Sequence, residues 1–273
     1  MTQEFDLTIL TPCQTGGEKL VRTIRSINSA VMAGLRIQHI ILHNLSSLLN
    51  MNEYQSDYRW RQIDVAPDNG PYDALNRGLS LAKGRFVQVL NAGDVIICSE
   101  TLEKACQQTA AIVSCAALDE FGNAIPSMNR LEKMSLDSLG RHEATLIQRE
   151  VILNTPFDLA LEIKADRNQL LSIIAQGHTV QCTEKPLVMV EADGFSSARV
   201  LVKEVENLSV SLRYARRFSI KLGAFFLFLA RVSFLTALKF LGLRRETGRR
   251  MVAAMRCLST YRQRPGRYFP IQD

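Results

Sequence analysis

Short apolar runs rich in β-branched residues alternate along this chain with segments of helical periodicity, and this alternation restricts the fold more than any other feature. Residues 6–12, which end at a proline, predict a first strand. Residues 18–28 carry apolar side chains at the spacing of an amphipathic helix, and residues 37–42 predict a second strand. A strand, a helix and a strand in this order favour parallel pairing through a right-handed crossover. The sequence therefore predicts an α/β fold with a mostly parallel central sheet and flanking helices.

The same alternation continues through residue 184. Gly84 follows a helical segment and is expected to end that helix in a left-handed conformation. The remaining predicted elements are strands at 60–65, 85–90, 111–117 and 179–184, and helices at 74–82, 100–108, 149–153 and 166–176.

Charge divides the chain into an acidic body and a basic tail. Residues 1–212 hold 19 basic and 25 acidic side chains, whereas residues 213–267 hold 14 Lys or Arg and one acid, Glu246. We therefore expect one α/β domain over residues 1–212 and a helical tail over residues 213–273. A composition of 47% hydrophobic and 22% charged residues is typical of a folded protein and excludes a disordered chain.

The tail combines its basic residues with apolar stretches. Its longest charge-free run is nine residues, against about 20 for a helix that crosses a bilayer, so no transmembrane span is expected. On a helix, Arg217, Lys221, Arg231 and Lys239 fall within a sector of about 80° beside a wide apolar face. This pattern is typical of a helix in the headgroup layer of an anionic membrane, and its many Phe and Leu residues argue against nucleic acid as the partner. The alternative is a helix packed on the protein's own core.

The cellular compartment is indicated by the start of the chain and by its cysteines. The first residues, MTQEFD, lack the basic and apolar regions of a secretory signal. The six cysteines are scattered singly, which is typical of reduced thiols rather than of disulfides or a zinc site. With the basic tail, these features predict a cytoplasmic protein held peripherally at the inner face of the cytoplasmic membrane.

The predicted strand at 85–90 runs straight into residues 91–94 (NAGD), so Asp94 lies at the carboxyl end of that strand. Ligand crevices of open α/β sheets lie at the carboxyl ends of parallel strands. A carboxylate at such an end commonly holds magnesium or manganese that bridges phosphate oxygens, because these cations prefer hard oxygen ligands. The alternative is that Asp94 only caps the following helix.

Residues 67–94 read PDNGPYDALNRGLSLAKGRFVQVLNAGD. This run resembles the family 2 glycosyltransferases of the GT-A fold, and it is most similar to colanic-acid, capsule and exopolysaccharide transferases. Their version reads P-D-x-G-I-Y-D-A-M-N-K-G-I-x-x-A-x-G, followed by a strand and L-N-A/S-G-D. Four other segments resemble the family, in the same order along the chain. Thr11-Pro12 resembles its first nucleotide-binding loop, and residues 141–145 (RHEAT) resemble its H-Q-A/S segment. Residues 164–166 (KAD) resemble its A-D-Y segment, and residues 192–196 (ADGFS) resemble its G-G-V-S segment.

The resemblance implies transfer of a sugar from a nucleotide-sugar donor, with inversion, to a lipid-linked or oligosaccharide acceptor in bacterial surface polysaccharide synthesis. It implies that Asp94 contacts a divalent cation, magnesium or manganese, on the donor diphosphate. It also implies that Asp166 is the general base that deprotonates the acceptor hydroxyl, although Asp166 could instead cap its helix. Further implicated residues are Thr11, Pro12, Asp73, Asn76 and Asn91 at the donor, and His142 and Glu143 on the acceptor side. Asp73 and Asn76 could equally be polar residues of a first helical turn.

One departure from the family pattern concerns the nucleotide base. After the second strand the family shows D-G-G-S-x-D-G-T, whereas residues 43–50 here read HNLSSLLN. His43 or Asn44 could still hydrogen-bond a base, or both could be ordinary polar residues. The loss of the acids leaves open a second function, that of a non-catalytic partner in a polysaccharide-synthesis complex. A nucleotidyltransferase is a third possibility, but residues 16–19 (GGEK) match poorly the Gly-rich loop expected of one.

Overall fold

The described residues contain nine strands, which form one mixed sheet in the order Arg61–Val65 (β3), Ile37–His43 (β2), Phe5–Cys13 (β1), Gly84–Val89 (β4), Thr145–Gln148 (β8), Ile112–Asp119 (β6), Val180–Val190 (β9) and Val95–Ile96 (β5), with Ala124–Ile125 (β7) paired to β6. The parallel pairs are β1 with β2, β1 with β4, β2 with β3, and β6 with β9. β8 runs antiparallel between β4 and β6 and so joins the two parallel regions. The computed structural model describes residues 4–14, 17–44, 60–128, 140–191, 199–215 and 218–240.

The first half of the chain forms the four adjacent strands at one end of the sheet, in the order β3-β2-β1-β4. The helix Glu18–Met32 connects β1 to its parallel neighbour β2, and the helix Pro71–Leu81 leads to β4, which pairs parallel with β1 on its other side. The elements follow the predicted order. In chain order they are β1 (Phe5–Cys13), α1 (Glu18–Met32), β2 (Ile37–His43), β3 (Arg61–Val65), α2 (Pro71–Leu81) and β4 (Gly84–Val89).

The second half completes the sheet and adds two helices after it. A short 3-10 turn at His142–Ala144 leads directly into β8. In chain order the elements are β5 (Val95–Ile96), α3 (Ser99–Cys106), β6 (Ile112–Asp119), β7 (Ala124–Ile125), β8 (Thr145–Gln148), α4 (Arg149–Leu153), α5 (Ala165–Ala175), β9 (Val180–Val190), α6 (Val200–Tyr214) and α7 (Phe218–Phe240).

The core lies on both faces of the sheet, because successive side chains of a strand point to opposite faces. In β1, Leu10 packs with Leu75 and Leu79 of α2, whereas Ile9 packs in the cluster that contains Ile27 of α1. All five side chains are buried. Burial on both faces is what a parallel strand covered by helices on both sides of the sheet requires.

Gly84 does not end α2 in the left-handed conformation that we expected from the sequence. It is the first residue of β4, and its φ is not positive. A Cβ atom at Gly84 would lie 2.4 Å from the backbone carbon of Leu7, so this position is restricted to glycine by the close approach of β1. The prediction of a left-handed cap was wrong, although glycine is required.

Helices α6 and α7 pack against each other at the start of the predicted tail. The predicted boundary at residue 212 falls inside α6, which ends at Tyr214. Arg231, one residue of the predicted basic stripe, donates to Glu204 of α6 at 3.3 Å, while Lys221 is exposed. No helix in the described ranges is both long and apolar enough to cross a membrane. The α7 apolar face, defined here as Phe218, Leu222, Phe225, Phe226 and Leu229, is exposed.

Candidate active site

The turn at residues 91–94 follows β4 at the carboxyl edge of the parallel strands. The Asp94 amide donates to the Asn91 carbonyl at 3.0 Å and closes the turn. Gly93 has a φ of 110°, and a Cβ atom there would lie 2.6 Å from Glu191 Oε2. The backbone conformation therefore favours glycine at position 93.

Helix α1 holds this turn in place. Thr23 Oγ1 accepts from the Gly93 amide at 2.9 Å and donates to the Asp94 carbonyl at 2.8 Å. Arg22 donates to the Gly93 carbonyl at 2.7 Å. We did not single out Thr23 from the sequence, although a hydroxyl on the apolar face of α1 was the available signal.

The Asp94 carboxylate is only 4% exposed. Its Oδ1 accepts from the Glu191 amide, which directly follows β9, at 2.9 Å. Burial and the negative charge of Glu143 raise the pKa of Asp94 to about 6. The alternative role as a helix cap is wrong, because α3 begins at Ser99 and the side chain of Cys98 caps it.

Glu143 lies against the same turn. Its Oε1 accepts from Asn91 Nδ2 at 3.2 Å, and its side chain is 5% exposed. Gln88 of β4 donates to the Glu143 carbonyl at 2.6 Å and so ties the 3-10 turn to the strand that leads into the 91–94 turn. A residue that the resemblance implicated on the acceptor side therefore contacts a residue implicated at the donor.

His142 bridges two carboxylates. Its Nδ1 lies 3.2 Å from Asp166 Oδ2 and 3.4 Å from Glu143 Oε2. Burial would lower the pKa of His142, but the negative charges of Glu143 and Asp166 outweigh it and raise that pKa to about 9. Burial would raise the pKa of Asp166, but the hydrogen bond and positive charge of His142 hold it well below its usual range. At neutral pH the pair is therefore an imidazolium and a carboxylate.

Asp166 lies in the first turn of α5, and the residues before it are firmly anchored. The carboxylate of Glu206 on α6 accepts three backbone N–H groups, those of residues 162, 163 and 164, at 2.7, 2.9 and 2.9 Å. Tyr72 of α2 donates to the Ile163 carbonyl at 2.7 Å. Helix α6 thus helps to fix the position of Asp166, and no sequence motif pointed to Glu206.

The remaining predicted residues of α2 make structural contacts. Asn76 exchanges two hydrogen bonds with the backbone of Phe157, each 2.9 Å long. Asp73 accepts from the Asn69 amide at 3.0 Å. Neither residue contacts the 91–94 turn through a hydrogen bond between described residues, so their role at a donor remains a prediction.

The residues predicted to contact the nucleotide at β1 and β2 differ in exposure. Thr11 is fully buried and its hydroxyl lies 3.0 Å from His39 Nε2, whereas Pro12 is partly exposed. His43 is also buried, with its Nδ1 3.0 Å from the Cys13 carbonyl oxygen. Asn44 donates to Asp68 at 2.8 Å. The segments at 45–50 and 192–196, which entered the comparison with the family, lie outside the described residues.

The donor atoms near Asp94 fit a divalent cation that also binds phosphate. Within the described ranges no three His, Cys, Asp or Glu side chains cluster as a complete metal site. Magnesium and manganese sites on phosphate substrates, however, commonly use one or two carboxylates and complete the shell with phosphate oxygens and water. Asp94 supplies one buried carboxylate for such a site.

Comparisons with known proteins identify the fold through structure alone. No protein-family model matches the chain, and no curated protein matches it in sequence. Residues 1–349 of S. aureus TarS in complex with UDP-GlcNAc align over 79% of this chain and 69% of that one, with 12% identity and a TM-score of 0.59. A longer TarS structure aligns over 82% of this chain and 43% of that one, with 12% identity and a TM-score of 0.60.

The mannosyltransferase PcManGT from Pyrobaculum calidifontis, in complex with GDP-Man and Mn2+, is also similar. It aligns over 96% of this chain and 82% of that one, with 15% identity and a TM-score of 0.61. At such low sequence identity, the similarity shows a shared fold but does not show a shared activity. The chain has the GT-A-type α/β fold that it shares with these nucleotide-sugar-binding structures.

Proposed function

We propose that this protein is a glycosyltransferase that moves a sugar from a nucleotide-sugar donor to an acceptor hydroxyl, with inversion at the anomeric carbon. One observation carries the proposal. Consecutive contacts of 3.2 to 3.4 Å link Asp166 through His142 and Glu143 to Asn91, and hence to the turn that carries Asp94. A candidate base and a candidate diphosphate site are thus joined within one GT-A fold.

The residues support a single displacement. The acceptor oxygen would form a bond to the anomeric carbon while the bond from that carbon to the diphosphate oxygen breaks. Asp166 would take the acceptor proton, because His142 keeps it ionised, and it would act from the face opposite the leaving group. Asp94 would hold magnesium or manganese, which supplies positive charge to the departing diphosphate.

A thermal-shift panel tests this function. The full chain is melted with the diphosphates of uridine, guanosine, thymidine and cytidine, each with and without Mn2+ or Mg2+. Ligand at about one hundred times its Kd stabilises a fold by about 2.7 kcal/mol, which for a chain of this size raises the melting temperature by about 5 °C. We expect one nucleotide to give such a shift only with the cation. If no nucleotide raises the melting temperature, the proposal is contradicted and the role of a non-catalytic partner is favoured.

We further propose that the tail brings the enzyme to an anionic membrane, where a lipid-linked saccharide of surface polysaccharide synthesis would be the acceptor. The α7 apolar face is exposed, and basic residues predominate from residue 213 to 267. Apolar side chains inserted between lipids, together with basic residues over anionic headgroups, are what an interfacial helix requires. The α6 contacts through Glu206 would then hold the base close to that surface.

Replacement of Phe226 by glutamate tests the membrane surface. Phe226 is 59% exposed, and removal of one inserted aromatic side chain should cost about 1.5 kcal/mol or more, so we expect at least about a tenfold loss of vesicle affinity. Co-sedimentation with phosphatidylglycerol vesicles measures this loss. Phe121→Glu is the matched control, because Phe121 is 79% exposed on the turn between β6 and β7. Equal loss in both variants, or none in Phe226→Glu, would reject the assignment of this face.

A further inference from the structure

The carboxylate of Glu143 contacts three polar side chains of the candidate site. Its Oε1 accepts from Asn91 Nδ2 at 3.2 Å, and its Oε2 lies 3.3 Å from Arg141 Nε and 3.4 Å from His142 Nδ1. The Glu143 side chain is only 5% exposed, so solvent screens its charge weakly. His142 Nδ1 also lies 3.2 Å from Asp166 Oδ2. One ring nitrogen is therefore placed between two carboxylates.

Several charged or titratable groups surround His142 and its partner Asp166. They are Arg141 and Glu143 of the same 3-10 turn, Asp94 after β4, Lys164 and Asp166 at the start of α5, and Tyr72 of α2, whose hydroxyl lies 3.4 Å from Asp166 Oδ1. Of these groups, Glu143 and Asp166 lie within 3.4 Å of the ring nitrogen. Burial and the charge of Arg141 lower the pKa of His142, but the two carboxylates raise it to about 9.

The transfer step would affect these two carboxylates differently. In the proposed reaction Asp166 takes the proton of the acceptor hydroxyl and becomes neutral, while His142 keeps its own proton. The partly buried imidazolium thereby loses the charge of one partner, and such a charge is destabilised when it is left unpaired. Glu143 gains no proton in this step, so its negative charge continues to stabilise the imidazolium.

We infer that Glu143 is a positioning residue for the base: it holds His142 as an imidazolium, and His142 in turn holds the Asp166 carboxylate. This inference rests on the proposed function, because Glu143 acts in this way only if Asp166 is the base. The resembling family has glutamine in this segment, so the charge at position 143 would be a property of this chain. Glutamine has an oxygen that can accept from Asn91, but it supplies no charge to His142.

The alternative is that Glu143 only supports the turn, and Glu143→Gln separates the two roles. In this variant the amide oxygen can still accept from Asn91 Nδ2, whereas the negative charge is lost. The hydrogen bond from Gln88 goes to the backbone carbonyl of residue 143 and does not depend on the side chain. A role confined to support would therefore survive in this variant, whereas a role through charge would not.

Nuclear magnetic resonance of the histidine rings in the full chain, followed from about pH 5 to about pH 10, measures the charge of His142 directly. The His142 signals are identified by their absence in His142→Gln. We expect the pKa of His142 to be about 9 in the unaltered protein and lower by about one unit or more in Glu143→Gln, because an opposite charge beside the ring is lost. Glu103→Gln makes the same substitution at an exposed position on α3 and should keep the wild-type value.

The rate of sugar transfer should change in the same direction. It is measured as release of nucleoside diphosphate from UDP-GlcNAc or GDP-Man, with a membrane extract as acceptor. In the unaltered protein kcat should fall above about pH 9, where His142 loses its proton. In Glu143→Gln this fall should begin at a pH lower by about one unit or more, with an unchanged affinity for the donor.

An equal pKa of His142 in Glu143→Gln and in the unaltered protein would overturn the inference and leave the proposed function standing, and so would an unaltered pH profile of kcat. Absence of any nucleotide response in the thermal panel would instead overturn the proposed function, and this inference with it. If Glu143→Gln does not fold, the unaltered protein still provides a test. A pKa of His142 at or below about 6.5, the ordinary value for the histidine ring, would overturn the inference.

Discussion

Asp166→Asn should lower sugar transfer about a thousandfold while leaving donor affinity within about twofold of the wild type. Asparagine has nearly the shape of aspartate, but it cannot take the proton that the acceptor hydroxyl must lose. The backbone before α5 is held by Glu206 and Tyr72 rather than by the Asp166 side chain, so the local structure should persist. We therefore expect a lower kcat and an unchanged affinity for the nucleotide sugar.

Release of nucleoside diphosphate from the donor, measured with a membrane extract as acceptor, reports this effect. Asp6→Asn is the matched control, because Asp6 lies near the start of β1 and pairs with Arg36 at the amino edge of the sheet. The control should keep wild-type turnover. If Asp166→Asn retains more than a tenth of that turnover, the base is another residue.

Asp94→Asn should abolish metal-dependent transfer and yet make the fold more stable. The pKa of Asp94 is about 6 in the folded protein, above the ordinary value of 3.8. An acid whose pKa is raised by folding reduces stability wherever it is ionised, so the free energy of unfolding falls as pH rises from about 4 to 6 and stays low at pH 7. Removal of this charge should restore on the order of 2 kcal/mol at pH 7. The variant amide can still accept from the Glu191 N–H.

Thermal melts at pH 7 and pH 4 separate these two effects. Asp94→Asn should melt above the wild type at pH 7, with little difference at pH 4, where the carboxyl is largely protonated. Added Mn2+ and nucleoside diphosphate should stabilise the wild type and the Asp6→Asn control but not Asp94→Asn. A variant that melts lower at pH 7 and still responds to Mn2+ would contradict both the electrostatic account and the metal role.

Periodicity predicted many elements of the fold, but it did not predict α6 or the shortest strands. The helix predicted at 18–28 and the strand predicted at 37–42 are confirmed as α1 and β2, because burial of one helical face and of a continuous strand leaves a pattern in the sequence. The two-residue strands β5 and β7 are defined only by their partners, β9 and β6. No local pattern encodes such pairings.

Among the site residues, the sequence predicted those with a local pattern or motif, but not those that act through contacts between distant segments. Asp94 could be predicted because it lies in the turn at the carboxyl end of a strand, and Asp166 because a motif resembles that of a known family. Glu191, by contrast, supports Asp94 across 97 residues, and Glu206 anchors the residues before Asp166 across more than 40. Helical periodicity placed Arg231 in a basic stripe, but it could not predict that Glu204 would pair with it.

The position of the cation tests the central claim most directly. A crystal of the full chain grown with Mn2+ and the nucleoside diphosphate selected by the thermal panel can be measured at the manganese absorption edge. An anomalous peak within about 2.5 Å of an Asp94 carboxylate oxygen, and in contact with the diphosphate, is the predicted result. A peak elsewhere, or a nucleotide bound away from the carboxyl ends of β1 and β4, would contradict the account.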